Sequence, residues 1–265
     1  MKKYIPSFAF LVLLILLWEG AVRALQIDKF ILPSPSVIFK ALFGSALLLL
    51  EHSKYTAGEA FFGFVLAVAG GMLLAGLMSF FSGVKKTLYP LVILSQTIPI
   101  MALAPLLIIW FGYGLLPKIM VVALVCFFPI TVSLAEGLAK ADADMIRLLQ
   151  SMGAGKLQIF TKVQLPSALP ALFAGLKISA TYSMMAAVIG EWLGASRGLG
   201  VYLTRSMHSF QTQQLFAAII VISILSLCFV GLVGLLGRIL IPWYYQHPVW
   251  QEDYPDGANS KFRSE

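Results

Sequence analysis

The sequence predicts an all-α membrane protein with six transmembrane helices, and three observations carry that prediction. Hydrophobic residues make up 59% of the 265-residue chain and charged residues only 12%, with a mean hydropathy of +0.88. A soluble protein averages about 45–50% apolar and about 25% charged residues. Apolar runs near the roughly 20 residues that cross a bilayer occupy nearly the whole length, leaving no room for a separate soluble domain. One charged, amphipathic interruption separates the fourth run from the fifth.

The excess of 19 Lys and Arg over 12 Asp and Glu, with a pI near 9.4, is scattered over several loops. Scattered cations point to membrane orientation and away from nucleic acid, which selects a single basic patch. Cys126 and Cys228 both lie in apolar runs, where thiols pack as small hydrophobes, and no disulfide is expected.

A basic start followed by an apolar run fits either a secretory signal or a first span. No small-x-small cleavage site follows, and Glu19 with Arg23 makes a helical i,i+4 pair in the favoured order, so a span over residues 4–25 is expected. Leu32-Pro33-Ser34-Pro35-Ser36 then forces an extended turn, because each proline also restricts the residue before it. Ser36 is expected to cap an amphipathic helix over residues 34–50 at the outer interface, in a segment that Lys40, Glu51, His52 and Lys54 make too polar to span. The second span, residues 58–82, carries Ala67, Gly71 and Ala75 at four-residue spacing, where small side chains let helices approach.

Lys85-Lys86 closes that span on the inside. The third, residues 87–112, is interrupted by Pro90, Pro99 and Pro105; prolines free carbonyls that need other partners in lipid, so a bent, protein-lined span is expected. The fourth covers residues 117–137 and the fifth 165–190, where Ala171, Gly175, Ser179, Ser183 and Ala187 recur at every fourth position. This stripe reads as a tight helix contact or, through its hydroxyls, as one wall of a pathway. A polar loop with Gly194, Gly198 and Gly200 leads to the sixth span, residues 215–241, and a polar tail occupies 243–265.

With the N-terminus inside, six spans place eleven basic residues in the cytoplasm: Lys2, Lys3, Lys85, Lys86, Lys140, Arg147, Lys156, Lys162, Arg238, Lys261 and Arg263. Seven fall outside, Arg23, Lys29, Lys40, Lys54, Lys118, Arg197 and Arg205. The bias favours both termini in the cytoplasm. Residues 138–164 then form a cytoplasmic loop between the fourth and fifth spans. Asp142 or Asp144 is placed to cap a helix that carries Met145, Leu148, Leu149 and Met152 at three- and four-residue spacing and stops at Gly153. A second short helix, Lys156 to Val163, is expected before Pro166 opens the next span. The apolar face of this elbow must be buried, either on the protein's own helix ends or in a groove of another subunit.

Gly153, nine intervening residues and Val163-Gln164-Leu165-Pro166 match the G-x9-[IV]-x-L-P core of the cytoplasmic loop in permease subunits of bacterial binding-protein-dependent ABC importers. The chain resembles that family over nearly its whole length. Trp18-Glu19, Leu32-Pro33-Ser34-Pro35-Ser36, Ala102-Leu103-Ala104-Pro105-Leu106 with Trp110-Phe111-Gly112, and Gly190-Glu191-Trp192-Leu193-Gly194 with Gly198-Leu199-Gly200 look like the branch serving nitrate, sulfonates, taurine and thiamine pyrimidine precursors. Ser209-Phe210-Gln211-Thr212 with Phe216-Ala217-Ala218 is most similar to the thiamine-pyrimidine permeases. The family's loop usually begins Glu-Ala-Ala, whereas Arg147, Leu148 and Leu149 stand at those positions here, so an acidic contact is lost and an apolar docking helix kept.

The resemblance implies an ATPase-coupling set of Arg147, Leu148, Leu149, Gly153, Val163, Leu165 and Pro166. It also implies a cytoplasmic ABC ATPase dimer, an extracytoplasmic solute-binding protein, a second identical permease copy and a bacterial cell membrane, with no cofactor. No glycine-rich phosphate loop is present, so ATP hydrolysis belongs to a partner. No nucleophile-and-base or paired metal-ligand motif appears, and His52, His208 and His247 read as isolated, solvated side chains. Ionisable residues near span ends are costly unless paired, which singles out Glu59, Lys177 and Glu191. Lys177 reads as snorkelling or as pathway-lining, and Glu191 as pathway-lining or as an anchor of the outer loop. Further pathway candidates are Gln96 and Thr97 beside Pro99, and Ser179, Tyr182 and Ser183. A secondary transporter or channel would call for coupling-ion chemistry or inverted halves, and neither is visible.

Overall fold

The computed structural model describes residues 5–246, with side chains described over 6–244. His247, Lys2, Lys3, Lys261, Arg263 and nearly all of the expected polar tail lie outside the described residues. Every regular element among the described residues is helical: α1 (Ile5–Ala24), α2 (Pro35–Gly44), α3 (Ala46–Phe80), α4 (Ser82–Ser95), α5 (Ile100–Phe111), α6 (Leu115–Ala139), α7 (Ala143–Ser151), α8 (Lys156–Ile159), α9 (Leu165–Trp192), α10 (Leu199–His208), α11 (Thr212–Leu240) and α12 (Pro242–Gln246). Among the described residues five stretches are long and apolar enough to cross a membrane, or six where the bent pair α4–α5 counts as one span.

The turn after α1 is held by a side chain from that helix. Glu19 accepts from the Ser36 N–H at 2.9 Å, from Ser36 Oγ at 2.8 Å and from Arg23 Nε at 2.7 Å. Ser36 is therefore not the cap; Pro35 opens α2, as suits a residue with no N–H, and the free N–H of Ser36 is satisfied from α1.

The helix expected over 34–50 is two helices. α2 ends at Gly44, and α3 starts at Ala46 and runs unbroken for 35 residues. Glu51, His52 and Lys54 do not interrupt it, because Leu49, His52, Thr56, Glu59, Ala60 and Gly63 fall on one buried face while Glu51 and Lys54 point outward. At 1.5 Å per residue α3 is about 52 Å long, well beyond the roughly 30 Å of bilayer hydrocarbon.

The proline-rich run bends sharply, α5 turning 101° from α4 across residues 96–99. Pro90 and Pro105 stay inside helices, and the break falls before Pro99. Side chains accompany the break, Ser95 Oγ donating to Val92 O at 2.7 Å and Thr97 Oγ1 to Leu94 O at 2.8 Å beside the Thr97 N–H at 3.0 Å.

The core is the packing of α9 and α3 on either side of α6. Small residues set the spacing, with Ala60, Ala67, Gly71 and Ala75 of α3 buried against it. A Cβ on Gly175 of α9 would lie 2.6 Å from the Pro129 carbonyl oxygen and 2.7 Å from Ser133 Cβ. Gly175→Val is expected to push α6 and α9 apart at a cost of about 1–3 kcal/mol, read as a lower thermal midpoint of the detergent-purified protein. Gly76→Val, whose added Cβ meets nothing within 4 Å, should leave the midpoint unchanged.

Candidate functional site

Three features stand out along this bundle: the crossing helix α7 at one end, a buried polar node under α10 at the other, and a groove between them.

α7 starts where Asp142 Oδ1 accepts from the N–H groups of Asp144 at 2.8 Å and Met145 at 3.3 Å. It ends at Gly153, whose φ of +79° is open to glycine without strain. The Gly153 N–H bonds to Gln150 O at 3.0 Å and the Ala154 N–H to Leu149 O at 2.9 Å, the Schellman pairing that satisfies a helix end. Met145, Leu148 and Met152 are exposed, while Leu149 and Ile146 are half-buried toward the bundle. The two leucines paired by spacing thus divide, Leu148 outward and Leu149 inward. Arg147 is exposed and lies 3.4 Å from Asp144, a surface pair of little energetic weight.

The second short helix does not stop at Val163. α8 passes through one wider turn, Phe160–Gln164, directly into α9, so Lys156–Trp192 is a single 37-residue rod. Pro166 has no N–H for the turn before it, and Ser167 Oγ supplies a donor instead, 2.7 Å from Val163 O and 3.0 Å from Gln164 O. Val163, Leu165 and Pro166 are half-buried along this junction. Pro166 marks a wide turn in a continuous helix rather than a re-entry point.

Glu191 ends that rod, with only 1% of its surface exposed. Its Oε1 accepts from Thr56 Oγ1 at 2.6 Å and its Oε2 from the Gly200 N–H at 2.5 Å. Thr56 Oγ1 in turn accepts from the Leu199 N–H at 2.8 Å, and His52 Nδ1 from the Gly198 N–H at 2.9 Å. Three side chains therefore satisfy the N–H groups of the capping Gly198 and of the first two residues of α10, and a carboxyl group sits at the positive end of its dipole. Gly198, at φ +123°, has no room for a Cβ against the Glu191 carboxyl. One turn along α3, Glu59 pairs with Lys118 of α6 at 2.7 Å, its side chain 2% exposed. The node binds α3, α6, α9 and α10 together at one end of the bundle.

Glu191 thus anchors α10, and Ser179 and Ser183 also lie away from the groove. Ser179 Oγ bonds to Cys126 O at 2.9 Å across the α6–α9 contact, and Ser183 Oγ to Ala180 O at 2.9 Å within α9. His52 is buried and bonded, not solvated as its isolation in the sequence suggested; its partner Gly198 lies 146 residues away. The signal that finds it is the helical spacing of His52 with Thr56 and Glu59. His208 is exposed as expected, and Lys177 lies on α9 facing Gly234 of α11.

The groove, about 730 Å³, opens where α4 breaks from α5 and is backed by α6 and α9. It brings Gln96 and Tyr182 together with Ser95, Phe127 and Phe128, and no charged side chain lines it. Thr97 is exposed at the same break, its hydroxyl turned to Leu94 O. No cluster of metal ligands occurs among the described residues.

Comparison with known proteins agrees with this arrangement. Residues 67–243 match the model of the binding-protein-dependent transport system inner membrane component. The chain is 36% identical to the formylaminopyrimidine transport permease protein ThiX of Halalkalibacterium halodurans over 90% of its own length and 95% of the relative's. It is 33% identical to the riboflavin transport system permease protein RibX of Chloroflexus aurantiacus, covering 88% of each chain. Its fold matches a chain of the inward-facing MetNI methionine ABC transporter with a TM-score of 0.64 at 20% identity, over 76% of this chain and 97% of that one. The family model over two thirds of the chain and the relatives above 30% identity place the chain among the inner-membrane components of binding-protein-dependent transport systems, the permease subunits of ABC importers.

Proposed function

We propose that this permease carries a neutral, planar heteroaromatic solute, a pyrimidine precursor of thiamine, between two identical copies of the chain. A solute-binding protein delivers the solute outside, and a cytoplasmic ATPase dimer grips the α7 end, so that the termini and α7 face the cytoplasm. The observation that supports this solute class is the uncharged groove. Sulfonates, taurine and nitrate carry a charged group whose desolvation is expensive without fixed partners. A heteroaromatic ring instead needs flat apolar walls and a few hydrogen bonds, which Phe127, Phe128, Tyr182 and the Gln96 amide offer.

On this reading ATP closes the ATPase dimer and draws the two α7 helices together. Each α7 hands its displacement through the Gly153 hinge to the α8–α9 rod, which swings the groove from one side of the membrane to the other. The test is uptake into vesicles carrying the permease, its ATPase and its binding protein. A labelled aminopyrimidine should accumulate and an aliphatic sulfonate should not compete. Gln96→Leu should lower uptake about tenfold, the value of one hydrogen bond in a dry site. Accumulation of the sulfonate in place of the aminopyrimidine would reverse the assignment.

A further inference from the structure

A second cavity of about 440 Å³ lies at the α7 end, between the α3–α4 corner, the end of α6 and the α7–α8 elbow. Its polar lining is Ser79, Ser82, Lys85, Gln150, Lys156 and Gln164, and no acidic residue lines it. Neither lysine has an ion-pair partner among the described residues. The floor is apolar, with Met78, Leu138 and Ile159 all buried. A cationic rim over an apolar floor, at the level where α4 begins and α6 ends, suits an amphiphile with an anionic head.

The two faces of α7 separate this cavity from a protein partner. Met145, Leu148 and Met152 point outward, whereas Ile146 and Gln150, on a different face, line the cavity. The cavity is therefore on the side of the elbow turned back toward the ends of α3, α4 and α6. Basic pockets between transmembrane helices on the cytoplasmic side are where anionic headgroups bind.

We propose that this cavity holds the phosphate of an anionic phospholipid, with Lys85 and Lys156 as its cationic partners, so that the bilayer fastens the α7–α8 elbow to the α3–α4 corner. The proposal rests on the orientation given above, and the site is read by lipid binding to the full chain alone, which needs neither ATPase nor solute. Native mass spectrometry of the detergent-purified chain should show phosphatidylglycerol retained well above phosphatidylcholine at equal concentration. Each lysine near an anionic surface contributes about a fivefold preference, so Lys85→Gln/Lys156→Gln should weaken retention roughly 30-fold. Lys85→Arg/Lys156→Arg should keep it, as should Lys29→Gln/Lys54→Gln, remote from the cavity. Equal retention of the two lipids, or phosphatidylglycerol retention unchanged in the glutamine variant, would overturn the proposal. Displacement by millimolar inorganic phosphate would also overturn it, by assigning the site to the free anion.

Discussion

Glu191→Ala should destabilise the permease by about 2–4 kcal/mol, the cost of leaving two buried hydrogen-bonding groups without their acceptor. The substitution leaves the Gly200 N–H without its acceptor, frees the Thr56 hydroxyl and opens a space beside Gly198. Its readout is the thermal midpoint of the purified chain. Thr56→Val should cost about 1–3 kcal/mol, because it orphans the Leu199 N–H but leaves the carboxyl in place. Glu191→Gln keeps an oxygen acceptor and should fall between the two. A midpoint unchanged in Glu191→Ala would mean that α10 is held by apolar packing alone.

The second large effect belongs to α7. Met145→Ala/Leu148→Ala removes two of the three outward apolar side chains without disturbing Ile146 or Leu149, which pack toward the bundle. Truncating two anchors of this kind at an interface costs about 2–4 kcal/mol, so the complex with the ATPase should weaken about 30- to 1,000-fold while the thermal midpoint of the permease stays put. Arg147→Ala should change affinity little, since its guanidinium is solvated beside Asp144. The result contrary to the docking role is undiminished ATPase affinity in the double variant.

These two sites are the ends of one lever. At 1.5 Å per residue, Lys156–Trp192 is about 55 Å long and joins the Gly153 hinge to the Glu191 cap with no break in between. On the proposed mechanism, a displacement at α7 would reach the node as a rigid-body movement of α9 against α3 and α6.

Much of this was legible in the sequence. Composition and run length are one-dimensional properties, so the existence of the apolar spans, a bend in the run that carries Pro90, Pro99 and Pro105, and the small-residue contacts at Gly71 and Gly175 follow from spacing alone. The cap at Asp142 and the turn at Gly153 are equally local, since each is satisfied within a few residues. What escaped are features whose partners lie far off in the chain. His52 reads as a solvated loop residue until Gly198 is brought to it, and Ser36 as a cap until Glu19 supplies the acceptor. The continuity of α8 with α9 escaped for a different reason. Proline signals a break in a local rule, but one wide turn and the Ser167 hydroxyl absorb Pro166 without ending the helix. Within the candidate pathway, Gln96 and Tyr182 share the groove, whereas Ser179 and Ser183 hold helices together, a difference of rotation about α9 that stripe spacing alone does not resolve.

The most direct measurement of the coupling account is solute uptake by proteoliposomes containing the permease, its ATPase and its binding protein, with ATP supplied only on the α7 side. Labelled aminopyrimidine should accumulate when ATP is hydrolysed, and both hydrolysis-dead ATPase and Met145→Ala/Leu148→Ala should abolish accumulation. Uptake that persists without hydrolysis, or that runs equally well with the double variant at the same ATPase concentration, would contradict it.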